Sequence, residues 1–306
     1  MIVIACPGQG SQTPGFLSEW IEDPAAREFI EQAADASGVD LLAHGTISDA
    51  DTIRDTQIAQ PLIVAASLLS WRALAQRVSL DGIGVAGHSV GEFAAAAAAG
   101  VLSEQDALTL VGVRGRAMAD AAAREKTGMS AVVGGVEEQV LEAIAAQGLT
   151  PANRNGGGQI VAAGSLPALA TLAENPPRGA RVIPLQVAGA FHTEYMASAI
   201  EVLSAASTGI ATCDPNRPLW TNSDGSLVSD GDSFLSLLVS QIANPVRWDA
   251  CMESFEASGI TGLIELTPAG ALSGIAKRAL KGVPTVAIKS PADLDAAVEL
   301  IQGAGA

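Results

Sequence analysis

The sequence predicts an α/β protein in which a mainly parallel sheet is covered by helices on both faces. Short apolar runs of strand length alternate with Ala- and Leu-rich stretches of helix length along most of the 306 residues. The first run, residues 2–6, ends at Pro7-Gly8, as expected for a buried strand that enters a turn. Residues 59–74 have the length and composition of the first clear helix.

The strand signature returns at residues 83–86 and is followed by a glycine-containing motif. This motif, Gly-His-Ser-Val-Gly-Glu at 87–92, leads into an Ala-rich helix over residues 94–99. Gly100 supplies the stop signal for that helix. The motif therefore sits where a strand becomes a helix.

A smaller unit is predicted in the middle of the chain. In order, it contains a strand at 130–133, a helix at 137–146, strands at 149–153 and 159–163, a helix at 166–172 and a strand at 181–187. This is the β-α-β-β-α-β order of a ferredoxin-like unit. The segment 175–179, Asn-Pro-Pro-Arg-Gly, is predicted to be a turn within the unit because the strand signal resumes at once.

Composition and charge exclude several function classes. With 48% hydrophobic residues, the chain can bury a large core, which rules out a disordered or linker protein. The 33 acidic residues exceed the 17 basic ones, and the formal net charge is −16. Because such a surface repels phosphate backbones and anionic headgroups, we expect neither nucleic acid nor membrane binding.

Cysteine usage and the N-terminal segment indicate a reducing compartment. Cys6, Cys213 and Cys251 are far apart and form no CxxC pair, which argues against a disulfide framework or a cysteine zinc site. We expect buried or inert thiols. The first residues show no basic region before the apolar run, and we find no apolar run near the ~18 residues that span a bilayer. We expect a cytoplasmic monomer.

The pentapeptide Gly-His-Ser-Val-Gly at 87–91 is the chain's one Gly-x-Ser-x-Gly match. Between a strand and a helix, this pattern predicts a nucleophile elbow that holds Ser89 in a strained conformation. Glycines are needed two residues before and after the serine because side chains there would collide with the strand and the helix. The Val90 amide would point at a developing oxyanion. A tight glycine turn with a serine N-cap is the alternative interpretation.

A serine nucleophile needs a base, and the candidates are His44, His88 and His192. The His88 side chain should project to the opposite side of the elbow from Ser89, and His44 lies in a polar stretch with no chemistry nearby. His192 follows a predicted strand, in a loop that can return over the elbow. We therefore assign the base to His192.

Two other parts of a serine site are less clear from the residues. No acid stands out as the partner of the histidine, since Glu194 is very near in sequence and Asp249 lies further on, so a neutral acceptor is an option. The loop 7–12 could bind phosphate, but its Gly-x-Gly-x-x-Gly pattern fails at Thr13. Gln9 could instead lend a backbone amide to an oxyanion hole.

A series of short motifs covers nearly the whole chain. They are Pro-Gly-Gln-Gly-Ser-Gln at 7–12, Gln-Pro at 60–61, the motif at 87–92, Arg-Gly at 114–115, Asn-Arg-Asn at 153–155 with Gln159, Ala-Phe-His at 190–192, Gln-Ile-Ala-Asn-Pro-Val at 241–246, Thr-Pro-Ala-Gly at 267–270 and Lys-Arg at 277–278. In this order they resemble the malonyl-CoA:acyl-carrier-protein transacylases of dissociated fatty-acid synthesis and the acyltransferase domains of polyketide synthases. The resemblance implies an α/β-hydrolase-like large subdomain, residues 1–126 and 191–306, and an inserted ferredoxin-like small subdomain, residues 127–190, with the active site in the cleft between them.

The resemblance also implies roles for individual residues. They are the nucleophile (Ser89), the base (His192), the oxyanion-hole amides (Gln9 and Val90), a main-chain carbonyl that orients the histidine (Gln241) and the clamp for a malonyl carboxylate (Arg114). We expect the ring of Phe191 beside the acyl pocket. From the residues alone, Arg114 in the predicted helix 108–119 could equally be a surface arginine, and Arg116 would serve as well.

Two positions depart from the family pattern. Gly189 stands where malonyl-selective polyketide domains often have histidine, which bears on fine acyl selectivity. Gly-Gly-Gly at 156–158 stands where the family often has Ser-Pro-Gly, which predicts a more flexible loop.

The activity that the resemblance implies is ping-pong acyl transfer. Malonyl-CoA would acylate Ser89, and the phosphopantetheine thiol of an acyl carrier protein would then accept the malonyl group. No bound cofactor or metal is expected. Two alternatives stay open: a serine hydrolase, either esterase or thioesterase, that uses the same Ser-His pair, and a non-catalytic module that binds acyl groups or the carrier protein.

Overall fold

The computed structural model describes residues 1–303 and contains two five-stranded β-sheets. The strands are β1 (Ile2–Cys6), β2 (Gly84–Gly87), β3 (Thr127–Gly134), β4 (Thr150–Gly156), β5 (Gln159–Ser165), β6 (Ala180–Pro184), β7 (Leu219–Trp220), β8 (Val246–Arg247), β9 (Gly262–Glu265) and β10 (Thr285–Ala287). The first sheet has the order β10-β9-β1-β2-β7, and the second has the order β6-β3-β5-β4-β8.

Helices pack around both sheets. They are α1 (Pro24–Ser37), α2 (Leu41–Thr46), α3 (Thr56–Ala75), α4 (Gly91–Ala98), α5 (Glu104–Arg124), α6 (Glu137–Ala146), α7 (Leu166–Glu174), α8 (Ala197–Ser207), α9 (Gly231–Ser240), α10 (Trp248–Ala257), α11 (Ala271–Ala279) and α12 (Leu294–Gly303). Short 3₁₀ turns, such as Gln241–Ala243, join some of them.

The first sheet is parallel throughout and has a separate apolar layer on each face. All its paired strands run parallel. Along β1, Ile2, Ile4 and Cys6 belong to one buried cluster, whereas Val3 and Ala5 belong to another. Because neighbouring side chains on a strand point to opposite faces, a strand buried on both faces reads as a continuous apolar run. This arrangement is the one that the sequence predicted.

The second sheet is mixed and follows the predicted β-α-β-β-α-β order. Strands β3, β5, β4 and β6 pair antiparallel, and α6 and α7 lie between them in sequence. The sequence did not predict the fifth strand, β8, which has only two residues and pairs parallel with β4. The predicted strand 181–187 is shorter in the structure, since β6 ends at Pro184, a residue without an amide hydrogen for a ladder.

One sequence expectation about apolar runs is wrong. The 20-residue helix α3 is long and apolar enough, by length and composition, to cross a membrane. It begins at Thr56, earlier than predicted, because the Asp55 side chain caps it by accepting from the amide of Gln57. Most of α3 is buried inside the protein, as core helices of soluble proteins are, so the finding is weak evidence for a membrane span.

The three cysteines differ in exposure. Cys6 and Cys251 are buried, and burial raises the pKa of both thiols, so they remain protonated. Cys213 is exposed, so the sequence expectation of a buried thiol holds for two of the three. An exposed thiol is the one of the three that reagents in solution reach.

Candidate active site

The predicted elbow is present between β2 and α4. Ser89 has φ 52°, a left-handed conformation that costs energy for a residue with a side chain. A Cβ on Gly87 would lie 2.1 Å from the amide nitrogen of Glu92, and one on Gly91 would lie 2.2 Å from the carbonyl oxygen of Cys6. Both positions therefore require glycine, the first because of the helix start and the second because of strand β1.

A hydrogen-bonded chain runs from the serine through the histidine to a main-chain carbonyl. The Oγ of Ser89 lies 2.7 Å from Nε2 of His192, and Nδ1 of His192 lies 2.9 Å from the carbonyl oxygen of Gln241. His192 is buried, and it also has a positive φ, 61°. Because a carbonyl can only accept, Nδ1 carries the hydrogen and Nε2 is left to accept from the serine.

Burial keeps this histidine neutral. Burial, and to a lesser extent the positive charge of Arg114, lowers the pKa of His192 to about 3. The hydrogen bond to the Gln241 carbonyl acts in the opposite direction but is the weaker influence. His192 is therefore an unprotonated imidazole at any pH near neutrality.

The other candidate histidines and acids do not reach the pair. His88 turns towards the second sheet, where its Nε2 lies 2.9 Å from Oδ1 of Asn155. The Nδ1 of His44 lies 2.9 Å from Oγ of Ser48, two residues after the end of α2, and forms a hydrogen bond with it. Glu194 is exposed, and Asp249 pairs with Arg247. The neutral acceptor anticipated from the sequence is thus what the structure places beside His192.

Arg114 lies beside the serine, and Arg116 does not. The guanidinium of Arg114, 1% exposed, donates from Nη1 to Oε1 of Gln60 at 2.5 Å and from Nη2 to Oε1 of Gln241 at 3.0 Å. The same Nη2 lies 3.5 Å from Oγ of Ser89. Arg116 is exposed and donates to the Ser37 carbonyl instead.

The environment of Arg114 is unusual for a cation. No carboxylate within residues 1–303 forms an ion pair with it, and its buried Nε has no hydrogen-bond partner. Burial lowers the pKa of Arg114 to about 10, while the nearby charge of Glu92 opposes that change. A fully buried guanidinium held by two neutral amide oxygens is suited to receive an anion.

Gln9 and Val90 lie at the same cavity as the serine. Both line it, and within the described chain no protein acceptor takes either backbone amide hydrogen. The Gln9 side chain holds its loop in place, since Nε2 donates to the Arg54 carbonyl at 3.0 Å and Oε1 accepts from Thr56. Val90 is the residue before the first turn of α4, where its own free amide and the helix dipole favour a negative charge.

Asn222 supports the elbow, and the sequence analysis missed it. Its Oδ1 accepts from the Ser89 amide at 2.7 Å, and its Nδ2 donates to the Gly87 carbonyl at 2.7 Å. The Asn222 amide donates in turn to Oε1 of buried Glu92 at 2.7 Å. The available signal was its place directly after β7, because side chains at the carboxyl ends of parallel strands gather at one edge of the sheet.

A cavity of about 600 Å³ connects these groups. Ser89, His192 and Arg114 line one part of it, and residues of the second sheet such as Asn155 line another. Phe191, 7% exposed, forms part of the wall next to the histidine.

The three glycines at 156–158, which depart from the family pattern, form the turn at the end of β4, and the Gly157 carbonyl accepts a hydrogen bond from Nε of Arg278 at 3.3 Å. Among residues 1–303, no group of three or more His, Cys, Asp or Glu side chains is placed to hold a metal ion.

Comparisons with known proteins identify relatives of this chain. The family model described as "Acyl transferase domain" matches residues 3–297. The malonyl CoA-acyl carrier protein transacylase of Mycobacterium tuberculosis (strain H37Rv) is 52% identical over 297 residues, which cover 96% of this chain and 98% of the relative. The protein of the same name from Escherichia coli (strain K12) is 33% identical over 96% of this chain and 97% of the relative.

Solved structures give the same result. The crystal structure of MCAT from Mycobacterium tuberculosis superposes with a TM-score of 0.94 at 52% identity and covers 97% of this chain and 99% of that chain. An acyl-carrier-protein-S-malonyltransferase from Bartonella henselae superposes with a TM-score of 0.92 at 32% identity over 98% of this chain and 99% of that chain. The predicted α/β fold class is confirmed, and the chain belongs to the malonyl-CoA–acyl carrier protein transacylase family of acyl transferase domains.

Proposed function

We propose that this protein transfers a malonyl group from malonyl-CoA to the phosphopantetheine thiol of an acyl carrier protein, through a malonyl ester on Ser89. One observation carries the proposal: the hydrogen-bonded pair of Ser89 and His192 shares its cavity with the unpaired, buried guanidinium of Arg114. The pair supplies a nucleophile for acyl transfer, and the cation supplies a partner for the carboxylate that distinguishes malonyl from acetyl.

In the first half-reaction, Nε2 of His192 takes the proton from Oγ of Ser89 as this oxygen attacks the thioester carbonyl. The amides of Gln9 and Val90 donate hydrogen bonds to the oxyanion of the tetrahedral intermediate. The intermediate collapses with loss of the CoA thiolate, to which the imidazolium returns the proton. The malonyl-serine ester and a neutral His192 remain.

In the second half-reaction, the carrier's phosphopantetheine thiol gives its proton to Nε2 of His192 and attacks the ester carbonyl. The same two amides hold the new oxyanion, and its collapse releases the Ser89 alkoxide, which regains the proton from the imidazolium. The Gln241 carbonyl keeps Nδ1–H of the histidine in place throughout, so a single tautomer serves both half-reactions.

Four further proposals accompany this function: the division into subdomains, the monomeric state and compartment, the substrates, and the role of Phe191. Residues 1–126 and 191–306 form the large catalytic subdomain, and residues 127–190 form the small one. The protein works as a monomer in the cytoplasm, without a bound cofactor, and takes malonyl-CoA and the carrier protein as its substrates. The Phe191 ring in the cavity wall limits the room beside the acyl group.

Intact mass spectrometry tests the proposal. Mixing the protein with malonyl-CoA is expected to add one malonyl group, and later addition of phosphopantetheinylated carrier protein is expected to move that group to the carrier. A serine hydrolase would lose the adduct to water without carrier, and a non-catalytic binding module would never acquire it. Either result would refute the proposed transfer.

Carrier docking is expected to depend on local positive charge. Acyl carrier proteins are acidic, and at net charge −16 this chain needs a basic patch to overcome general repulsion. Exposed candidates are Arg178, Arg181, Lys277, Arg278 and Lys281. The helix α11 carries two of them, and its Leu272 and Ile275 line the cavity.

Charge reversal separates docking from chemistry. Lys277→Glu is expected to raise the KM for carrier protein by up to about tenfold, while the rate of acylation by malonyl-CoA stays unchanged. The measurement is steady-state kinetics of each half-reaction. Arg27→Glu, on the exposed face of α1 away from the cavity, is the matched control and should change neither. Equal effects of Lys277→Glu on both half-reactions would exclude docking as its role.

A further inference from the structure

The side chain of Gln241 connects Arg114 to a buried acid that the proposed mechanism does not use. Its Oε1 accepts from Nη2 of Arg114 at 3.0 Å, and its Nε2 donates to Oε2 of Glu92. A guanidinium only donates hydrogen bonds, so the carboxamide oxygen faces Arg114 and the carboxamide nitrogen faces Glu92. Glu92 therefore acts on Arg114 through Gln241.

When Glu92 is ionised, its negative charge balances the positive charge of Arg114 only while the site is empty of substrate. Arg114 and Glu92 are each 1% exposed, and one amide group separates them. If the proposed function is correct, a malonyl carboxylate binds Arg114 and brings a second negative charge into the same buried region. Two carboxylates that share one cation in a medium of low polarity cannot both remain ionised at low cost.

Glu92 is the group in this region that can change its charge. Burial raises the pKa of Glu92 to about 8, although its hydrogen bonds and the charge of Arg114 act in the opposite direction. The other titratable groups nearby keep their charge near neutral pH: His192 is neutral, the buried thiols of Cys6 and Cys251 are protonated, and Arg114 is a cation. Arg247, beyond them, is paired with Asp249.

A second cavity gives Glu92 its own route to solvent. This rear cavity, of about 410 Å³, is lined by Glu92, Gln241, Thr221, Arg247 and their neighbours, and it shares no lining residue with the substrate cavity. Protons can therefore reach the carboxyl group of Glu92 through the rear cavity while a substrate fills the substrate cavity. Thr221 also lines this cavity, and a hydroxyl group can accept a hydrogen bond from a protonated carboxyl group.

We propose that Glu92 is a proton-linked positioning residue for the malonyl group: where its carboxyl group is ionised in the free protein, it takes up a proton from solvent, through the rear cavity, when the malonyl carboxylate binds Arg114. The proton comes from water or buffer and returns to it when the malonyl group leaves. The inference rests on the proposed function, because it requires a carboxylate at Arg114.

Linkage gives the direction of the pH effect. Bound malonyl raises the pKa of Glu92 above its value of about 8 in the free protein. Below that value the carboxyl group is already protonated and binding takes up no proton. Above it, binding requires uptake, and the apparent affinity for malonyl-CoA falls by up to about tenfold per pH unit until the raised pKa is reached. Acetyl-CoA, which lacks the carboxylate, shows no such fall.

Calorimetry of binding provides the test. The Ser89→Ala chain binds thioesters without forming the ester, so titration at about pH 8.5 in two buffers of different ionisation enthalpy reports protons taken up. We expect uptake of up to about three quarters of a proton for malonyl-CoA and none for acetyl-CoA. Adding Glu92→Gln should remove the uptake, whereas adding Glu194→Gln, at the exposed acid near His192, should leave it unchanged.

The outcomes separate this inference from the proposed function. Malonyl-CoA that binds without proton uptake overturns the role of Glu92 and leaves the transfer activity standing. If neither thioester binds, the proposed function fails and this inference fails with it. Should Glu92→Gln not fold, the comparison of malonyl-CoA with acetyl-CoA in the Ser89→Ala chain still decides the matter.

The pH dependence of acyl selectivity provides a second test, because a purely structural role of Glu92 would not change it. With Ser89 present, the ratio of kcat/KM for malonyl-CoA to that for acetyl-CoA should fall by up to about tenfold between about pH 7 and pH 9. In Glu92→Gln the ratio should be flat over this range. A ratio that is flat in the unaltered protein would contradict the proposal.

Discussion

Replacing Ser89 by alanine is expected to abolish the malonyl adduct and to lower transfer to the carrier by a factor on the order of 10⁴ or more. The reason is geometric. Its Oγ lies 2.7 Å from the neutral imidazole of His192 and lines the same cavity as Val90, whose amide is free, and no other side-chain oxygen within residues 1–303 hydrogen-bonds to Nε2 of His192. Intact mass detects the loss of the adduct, and peptide mapping of the unaltered protein should place the malonyl group on residue 89.

Two control variants test whether another nucleophile accounts for the adduct. The exposed thiol of Cys213 can exchange with a thioester, so Cys213→Ser should leave the adduct on Ser89 unchanged. Ser223→Ala, at an exposed serine beyond the substrate cavity, should also leave it unchanged. A malonyl group that maps to Cys6, Cys251 or another serine would show that the nucleophile is wrongly assigned.

The elbow could be predicted from sequence because its causes are local. The glycines at 87 and 91 are required by contacts within a few residues of the serine or with the adjacent strand, so a five-residue pattern contains the whole argument. His192 was reached by elimination among three histidines, which works only because the chain has so few. Its acceptor, the Gln241 carbonyl, is a backbone atom that every residue possesses, and the residues alone could not single it out.

The supporting network could not be predicted because only the tertiary fold brings it together. Asn222 and Glu92 lie 130 residues apart in sequence, yet they share a hydrogen bond under the elbow. The sequence does not indicate that either of these polar residues is buried. Strand β8 escaped prediction for a related reason: a two-residue strand has no periodicity, and only its partner β4 defines it.

The choice between two arginines shows the same limit within one helix. Positions 114 and 116 are about 200° apart around α5, so they face different environments, but the sequence does not say which face is inside. In the structure, Gly115 packs closely against α3, and a Cβ there would lie 3.1 Å from Cα of Gln57. This close approach buries Arg114 on the cavity side together with Met118, one turn further along.

Replacing Arg114 by alanine is expected to change which acyl group is transferred. Burying a malonyl carboxylate without a cation costs about 3–5 kcal/mol, which corresponds to a loss of roughly 10²–10³-fold or more in kcat/KM for malonyl-CoA. Transfer of acetyl, which places no charge there, should be retained or increased. The measurement is kcat/KM for malonyl-CoA and acetyl-CoA in each variant.

The form of the guanidinium makes lysine an incomplete substitute. Arg114 keeps hydrogen bonds to Gln60 and Gln241 on its two terminal nitrogens and still has donors for a carboxylate, whereas an ammonium group is a point charge with three donors. Arg114→Lys should therefore recover only part of the malonyl activity. Arg116→Ala, two residues away on the exposed face, is the matched control and should leave the malonyl-to-acetyl ratio unchanged. If Arg114→Ala instead lowers both substrates by the same factor, Arg114 is structural, and the partner of the malonyl carboxylate lies elsewhere in the cavity.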